Sequence, residues 1–201
     1  MTGMAKNETE SHHRHFILHK PYGFLSQLVN NQKRRKNKKL LGELCDFPDG
    51  TMAIGRLDEK SEGLLLLTTD GKASTLIRSN KFEKEYYVQV DGEIDKNAIR
   101  QLRQGVEITV KKESYITLPC HSEVLMEPPS FLDQSVYIRD DRHGPTSWIS
   151  ITLTEGKFRQ VRKMTASVGF PTLRLVRVRI AETRLAGLAP GEVKEVDRFK
   201  L

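Results

Sequence analysis

Residues 64–67 are four consecutive leucines between Gly63 and the Asp70-Gly71 turn. A run this short that is apolar at every position reads as a strand with no solvent face. The chain must therefore build cover on both sides of it. Other segments supply that cover. Asp70 is a candidate N-cap for a helix through Ala73, Leu76 and Ile77. Tyr86–Val90 alternates as a strand. Asp95–Gln104 reads as a helix with Ala98, Ile99 and Leu102 inward and Gly105 as its stop. Trp148–Thr154 places Ile149, Ile151 and Leu153 on one strand face. Arg159–Val168 carries Val161, Met164 and Val168 at helical spacing, and Gly169 and Pro171 end it. In the strand Leu173–Ile180, Val176, Val178 and Ile180 share one face. Leu175 falls on the other face with Arg177 and Arg179, an apolar side chain among cations, where it packs in a second small core or meets a nucleobase.

Phe16–Leu18 reads as a short strand before the Pro21–Gly23 turn, and Leu40–Leu44 as a helical turn. Residues 111–147, with Pro119, Pro128, Pro129 and Pro145, read as irregular. Strands and helices mix without a βαβ rhythm. That predicts an α+β fold with a mixed, mainly antiparallel sheet. The length of 201 residues suits one domain of two lobes.

The net charge of +7 sits mostly in Lys33, Arg34, Arg35, Lys36, Lys38 and Lys39. A second basic region, 156–179, holds Lys157, Arg159, Arg162, Lys163, Arg174, Arg177 and Arg179 and no acid. A solvated loop accounts for the first region alone. Solvated faces usually interleave acids, however, so the two together predict a polyanionic partner. Cys45 and Cys120 form no CxxC pair and suggest neither zinc nor a disulfide. His12, His13, His15 and His19 read as part of a frayed, solvated terminus rather than a metal site. Residues 1–14 are expected to be disordered. They lack the apolar stretch of a secretory signal, and no run is long enough for a membrane span. The expected location is the cytoplasm.

Gly55-Arg56-Leu57-Asp58 sets a cation and a carboxylate two residues apart beside the leucine strand, where extended backbone gives them one face. A surface ion pair is the default for such a pair. Arg159 and Arg162 project together from the start of a helix, a position that suits phosphates.

Here the sequence also carries a resemblance. Gly55–Asp58 followed by Ser61–Gly71 closely resembles the signature of the RsuA-type ribosomal RNA pseudouridine synthases. Lys20–Gly23, Lys84–Val88, and Glu155–Met164 with Val168–Pro171 and Leu173–Ile180 resemble its other motifs, in order. Lys157 and Phe158 depart from the pattern, standing where relatives often have Arg and Asn. The resemblance implies a pseudouridine synthase fold over residues 15–201, two lobes around a central cleft, with no S4 RNA-binding domain. It implies isomerisation of one uridine in ribosomal RNA, with large-subunit (23S) rRNA expected from Pro145–Trp148 and the missing S4 domain. Free rRNA and an assembly intermediate are both open as substrate.

By the same resemblance Asp58 is the catalytic carboxylate, Arg162 its partner and Tyr86 the ring that stacks on the flipped base. Arg56 fills the vacated space or contacts the backbone, Leu175 walls the base, and Lys84 and Arg159 contact RNA. Lys33, Arg34, Arg35 and Lys36 are read as further backbone contacts. The chemistry requires no cofactor and no metal, and a monomer is expected. The alternatives are a small-subunit rRNA synthase, a non-catalytic rRNA-binding or assembly protein, and a hydrolase pairing Asp58 with Glu62.

Overall fold

The computed structural model describes residues 13–29, 37–79, 81–132, 136–139, 141–185 and 187–201. The chain opens with β1 (His15–Lys20), β2 (Phe24–Leu25), β3 (Lys39–Leu40), β4 (Met52–Ile54) and β5 (Glu62–Thr68). Helix α1 (Gly71–Arg78), β6 (Lys84–Asp91), α2 (Lys96–Gln104), β7 (Glu107–Val110), β8 (Glu113–Ile116) and β9 (His121–Leu125) follow. Next come β10 (Thr146–Leu153), α3 (Gln160–Ser167), β11 (Thr172–Ile180), β12 (Thr183–Arg184) and β13 (Val193–Val196).

The main sheet runs β13-β1-β5-β11-β6-β10-β9, with β4 paired to β5 and β12 to β11. Only the β11–β5 pairing in it is parallel, so the expected mixed, mainly antiparallel sheet is observed. The leucine strand behaves as its composition demands. Leu64 and Leu66 enter one core with Val176, Val178 and Ile180, and Leu65 and Leu67 enter another with Phe16 and Leu18. Burying a Leu side chain contributes roughly 1.5–3 kcal/mol, so this strand anchors two layers at once. Gly63 makes the parallel junction possible. Its φ is +100°, and a Cβ there would lie 2.2 Å from the Arg177 carbonyl oxygen.

A third core joins β6, β10, β11, α2 and α3 through Val88, Ile99, Leu102, Ile149, Ile151, Val161 and Met164. Leu175 is buried there too, so the core expected to be small is an extensive one. Helix α2 is capped by the Asp95 carboxylate, which accepts from Ala98 N at 2.7 Å, and α1 by Asp70, which accepts from Lys72 N at 2.8 Å.

Two expectations are corrected. Residues 111–147 are not wholly irregular: β8 and β9 lie there, and β8 pairs with β7 in a separate hairpin. The stretch at the start is not frayed throughout. His15 and His19 belong to β1, and His19 is buried with Nδ1 2.9 Å from the Leu188 carbonyl oxygen. Arg14 is tied to Glu195 at 2.6 Å. His12 lies outside the described residues.

Candidate active site

The loop 55–61 between β4 and β5 carries Asp58, and its backbone is tied from three sides. The Ser26 hydroxyl donates to Leu57 O at 2.8 Å and accepts from Leu57 N at 2.9 Å. Lys20, fully buried, donates from Nζ to Ser61 O at 2.7 Å, Pro21 O at 2.9 Å and Glu59 O at 3.4 Å. Burial pushes its ammonium down to about 7, against the opposing pull of Glu62, Glu59 and Asp58. Arg162 donates from Nη2 to Lys60 O at 2.7 Å and Ser61 Oγ at 3.3 Å.

Asp58 pairs with the arginine expected of it, Arg162, and more closely with its neighbour Arg159. Arg159 Nη1 donates to Asp58 Oδ2 at 2.9 Å, whereas Arg162 Nε stands 4.0 Å from the same oxygen. The reason is local. Arg159 is not the first residue of a regular helix but the N-cap of α3, in the left-handed region at φ 53°, ψ 35°. A non-glycine residue there costs roughly 1–2 kcal/mol, and the turn aims its side chain across the cleft. Arg162, one turn on, reaches the loop backbone as well, and burial lowers the pKa of its guanidinium.

A buried carboxylate holds that turn. Glu155 accepts from the Tyr115 hydroxyl through one oxygen, and from Leu118 N at 2.9 Å and Gln160 Nε2 at 2.8 Å through the other. Gln160 Oε1 in turn accepts from Lys157 N at 3.0 Å. Lys157 Nζ stands 4.6 Å from the Tyr115 ring centroid, fastening the β7–β8 hairpin to the same turn. Phe158, between them, is 69% exposed, with Lys163 Nζ 5.3 Å from its ring centroid.

These elements enclose a cavity of about 390 Å³ that Arg56, Asp58, Lys84, Tyr86, Arg159, Leu175 and Arg177 help to line. Arg56 is exposed at its edge. Lys84 donates to Thr154 O at 2.9 Å and Phe82 O at 3.0 Å, and burial lowers its pKa. Six of the expected residues, Arg56, Asp58, Lys84, Tyr86, Arg159 and Leu175, thus share one cavity. Arg162 braces its wall from behind. Lys33, Arg34, Arg35 and Lys36 lie outside the described residues. Lys38, at the end of that basic run, pairs with Glu59, next to Asp58, at 2.7 Å.

Glu62 does not serve the cavity. It is buried in a bidentate pair with Arg174, at 2.7 and 2.8 Å, which removes the two-carboxylate hydrolase arrangement. Sequence reasoning missed Ser26, Glu155, Gln160 and Arg177. Only the pair Glu155 and Gln160, flanking a basic loop, gave a readable signal. Among the described residues no cluster of His, Cys, Asp or Glu is arranged to hold a metal, and no helix is long and apolar enough to cross a membrane.

Residues 14–167 match a family described as RNA pseudouridylate synthase. The chain is 41% identical over 182 residues to the ribosomal large subunit pseudouridine synthase E of Vibrio parahaemolyticus, covering 90% of this chain and 72% of that protein. It is 40% identical over 178 residues to the protein of the same name from Xanthomonas campestris, covering 88% and 91%. A crystal structure of a pseudouridylate synthase superposes with a TM-score of 0.72 at 27% identity, over 92% of this chain and 70% of the other.

Proposed function

This chain belongs to the RNA pseudouridylate synthase family, and we propose that it converts a uridine of large-subunit ribosomal RNA to pseudouridine with Asp58 as its catalytic carboxylate. The relatives named above supply the substrate class. The observation that carries the role of Asp58 is its position: a partly exposed carboxylate on a braced loop, lining the cavity, with Arg159 at 2.9 Å and Arg162 at 4.0 Å. The cavity has the size of a small-molecule pocket. A uridine reaches it by leaving its stack, which costs a few kcal/mol. Tyr86 offers a face for the flipped base, a contact worth about 1–3 kcal/mol, and Leu175 an apolar wall.

In the reaction the N1–C1′ bond breaks, the base turns, and C5 bonds to C1′. The proton leaves C5 and N1 takes one up. Asp58 either attacks C1′ or removes the C2′ proton, and both roles need an ionised carboxylate. Arg159 then has to release or follow Asp58 as the sugar arrives, which suits a contact that is partly solvated. Arg56 and Lys157 at the cavity, and the basic run through Lys39, suit the RNA backbone. We read residues 15–201 as one catalytic unit, because β13 near the end pairs with β1 at the start.

Isomerisation replaces the C5–H bond, so RNA labelled with tritium at uridine C5 releases it to water. Wild type is expected to release one equivalent per site and Asp58→Asn none. Release by Asp58→Asn at the wild-type rate removes Asp58 from the chemistry.

A further inference from the structure

Strand β11 carries three arginines near the cavity, and they are treated differently. Arg174 is matched by Glu62, and Arg179 by Glu85 at 2.8 Å and Glu83 at 3.0 Å. Arg177, between them, has no ion pair among the described residues. It is 4% exposed, its Nε donates to Leu64 O at 2.8 Å, and its Nη2 finds no hydrogen-bond partner. A buried cation with a donor left over is expensive unless something else meets it.

Arg177 lines the same cavity as Asp58. Its cross-strand partner in β6 is Tyr86, and Leu175 lies two residues away on the same strand. Lys84 is close enough for Arg177 to help lower its pKa, after burial. This part of the cavity therefore holds two cations. The cavity's carboxylates are engaged elsewhere, Asp58 with Arg159 and Glu155 with Tyr115, Leu118 and Gln160.

We propose that Arg177 is a further catalytic residue, whose guanidinium balances the negative charge that forms on the uracil ring when the N1–C1′ bond breaks. The inference rests on the reading of this cavity as the uridine site. Heterolysis leaves the bonding electron pair on N1, shared with O2 and O4, so the detached base is an anion. It must stay in place and turn until C5 faces C1′, and the same pair then forms the new bond. The charge moves with the ring. A planar, diffuse cation fixed beside Tyr86 follows it better than a single-point donor does. An RNA phosphate at Arg177 would carry the same charge before and during the reaction, so it would tighten binding without speeding the bond-breaking step.

The test compares wild type, Arg177→Gln, Arg177→Lys and Asp58→Asn on one RNA carrying uridine and on the same RNA carrying 5-fluorouridine. Loss of the N1–C1′ linkage is followed in a single turnover. Fluorine withdraws electrons and stabilises the anion with little change of shape. Arg177→Gln is expected to slow the uridine reaction roughly 10²–10³-fold, as for loss of a charge-stabilising donor, and the 5-fluorouridine reaction at least about tenfold less. Arg177→Lys should fall between, with KM for RNA nearly unchanged. Both substrates are compared on the same protein sample, so a misfolded fraction cancels from the ratio. Equal slowing on the two substrates, or an effect confined to KM, overturns the role and leaves Arg177 structural or phosphate-binding. Asp58→Asn separates the two failures. If it stays active, the cavity reading fails. If it is dead while the substrate ratio is unchanged, only the role of Arg177 fails.

Discussion

Three arginine–carboxylate pairs among the described residues join the loop-and-strand 58–62 to the region 159–174, and the two shortest differ sharply in geometry and burial. Arg174–Glu62 is bidentate and buried, with side chains 6% and 2% exposed. Arg159–Asp58 is a single contact at 2.9 Å, with side chains 42% and 28% exposed, from a residue in the left-handed region. The first is a clamp between β5 and β11 beside their parallel junction. The second is a partly solvated contact at the cavity. Neighbouring residues of one motif are thus divided between holding the sheet and lining the cavity, and burial makes the division.

That contrast predicts very different costs. Arg174→Met leaves Glu62 buried without a partner and should cost about 3–5 kcal/mol in urea unfolding, and pairing it with Glu62→Leu should recover most of the loss. Full loss in the double variant would mean the pair contributes more than an apolar filling does.

Lys20, which braces the loop that carries Asp58, should show itself through pH. Its ordinary pKa of 10.5 falls to about 7 on burial. Below pH 7 it is charged in both states and the cost of burying the charge is present in full. Between pH 7 and 10.5 the folded protein loses the proton that the unfolded chain keeps, so stability rises with pH. Measured at pH 7 and pH 9, wild type should gain roughly 2 kcal/mol relative to Lys20→Met. A constant difference would mean that Lys20 stays charged in the fold.

Arg159 should trade stability against activity. Arg159→Ala removes an exposed pair and should change stability by less than about 1 kcal/mol, while misplacement of Asp58 should slow the reaction by up to about 100-fold. Arg159→Gly relieves the positive φ and should be about 1 kcal/mol more stable than Arg159→Ala, and no more active. Equal stability of the two would show that the turn stores no strain. The smallest effect belongs to Lys38–Glu59 on the surface, where Lys38→Ala should change stability by under about 0.5 kcal/mol.

The contrast between the two pairs also marks what was legible in the sequence. The doubly buried strand, the Asp95-capped helix and the Val161–Met164 stripe follow from periodicity and capping, which are local. The β7–β8 hairpin did not, because its two-residue turn is Lys111-Lys112 with φ of 52° and 72°, where glycine or asparagine is the usual signal. Its β8 and the edge strand β9 are also largely exposed, so no apolar alternation announces them. In the site, Asp58, Tyr86 and Leu175 came from the resemblance, and the cavity does gather them. The closer contact of Arg159 with Asp58 depended on one left-handed residue that no pattern reveals. The place of Ser26 at the loop and of Arg177 at the cavity emerges only when segments distant in sequence are laid side by side.

The central claim is that Asp58 carries out uridine isomerisation in ribosomal RNA. The most direct test maps pseudouridines in the rRNA of a deletion strain by carbodiimide modification and primer extension, with wild-type protein or Asp58→Asn restored. The account predicts one missing stop in large-subunit rRNA that returns with wild type and not with Asp58→Asn. A stop restored fully by Asp58→Asn, or no change at any site on deletion, would contradict it.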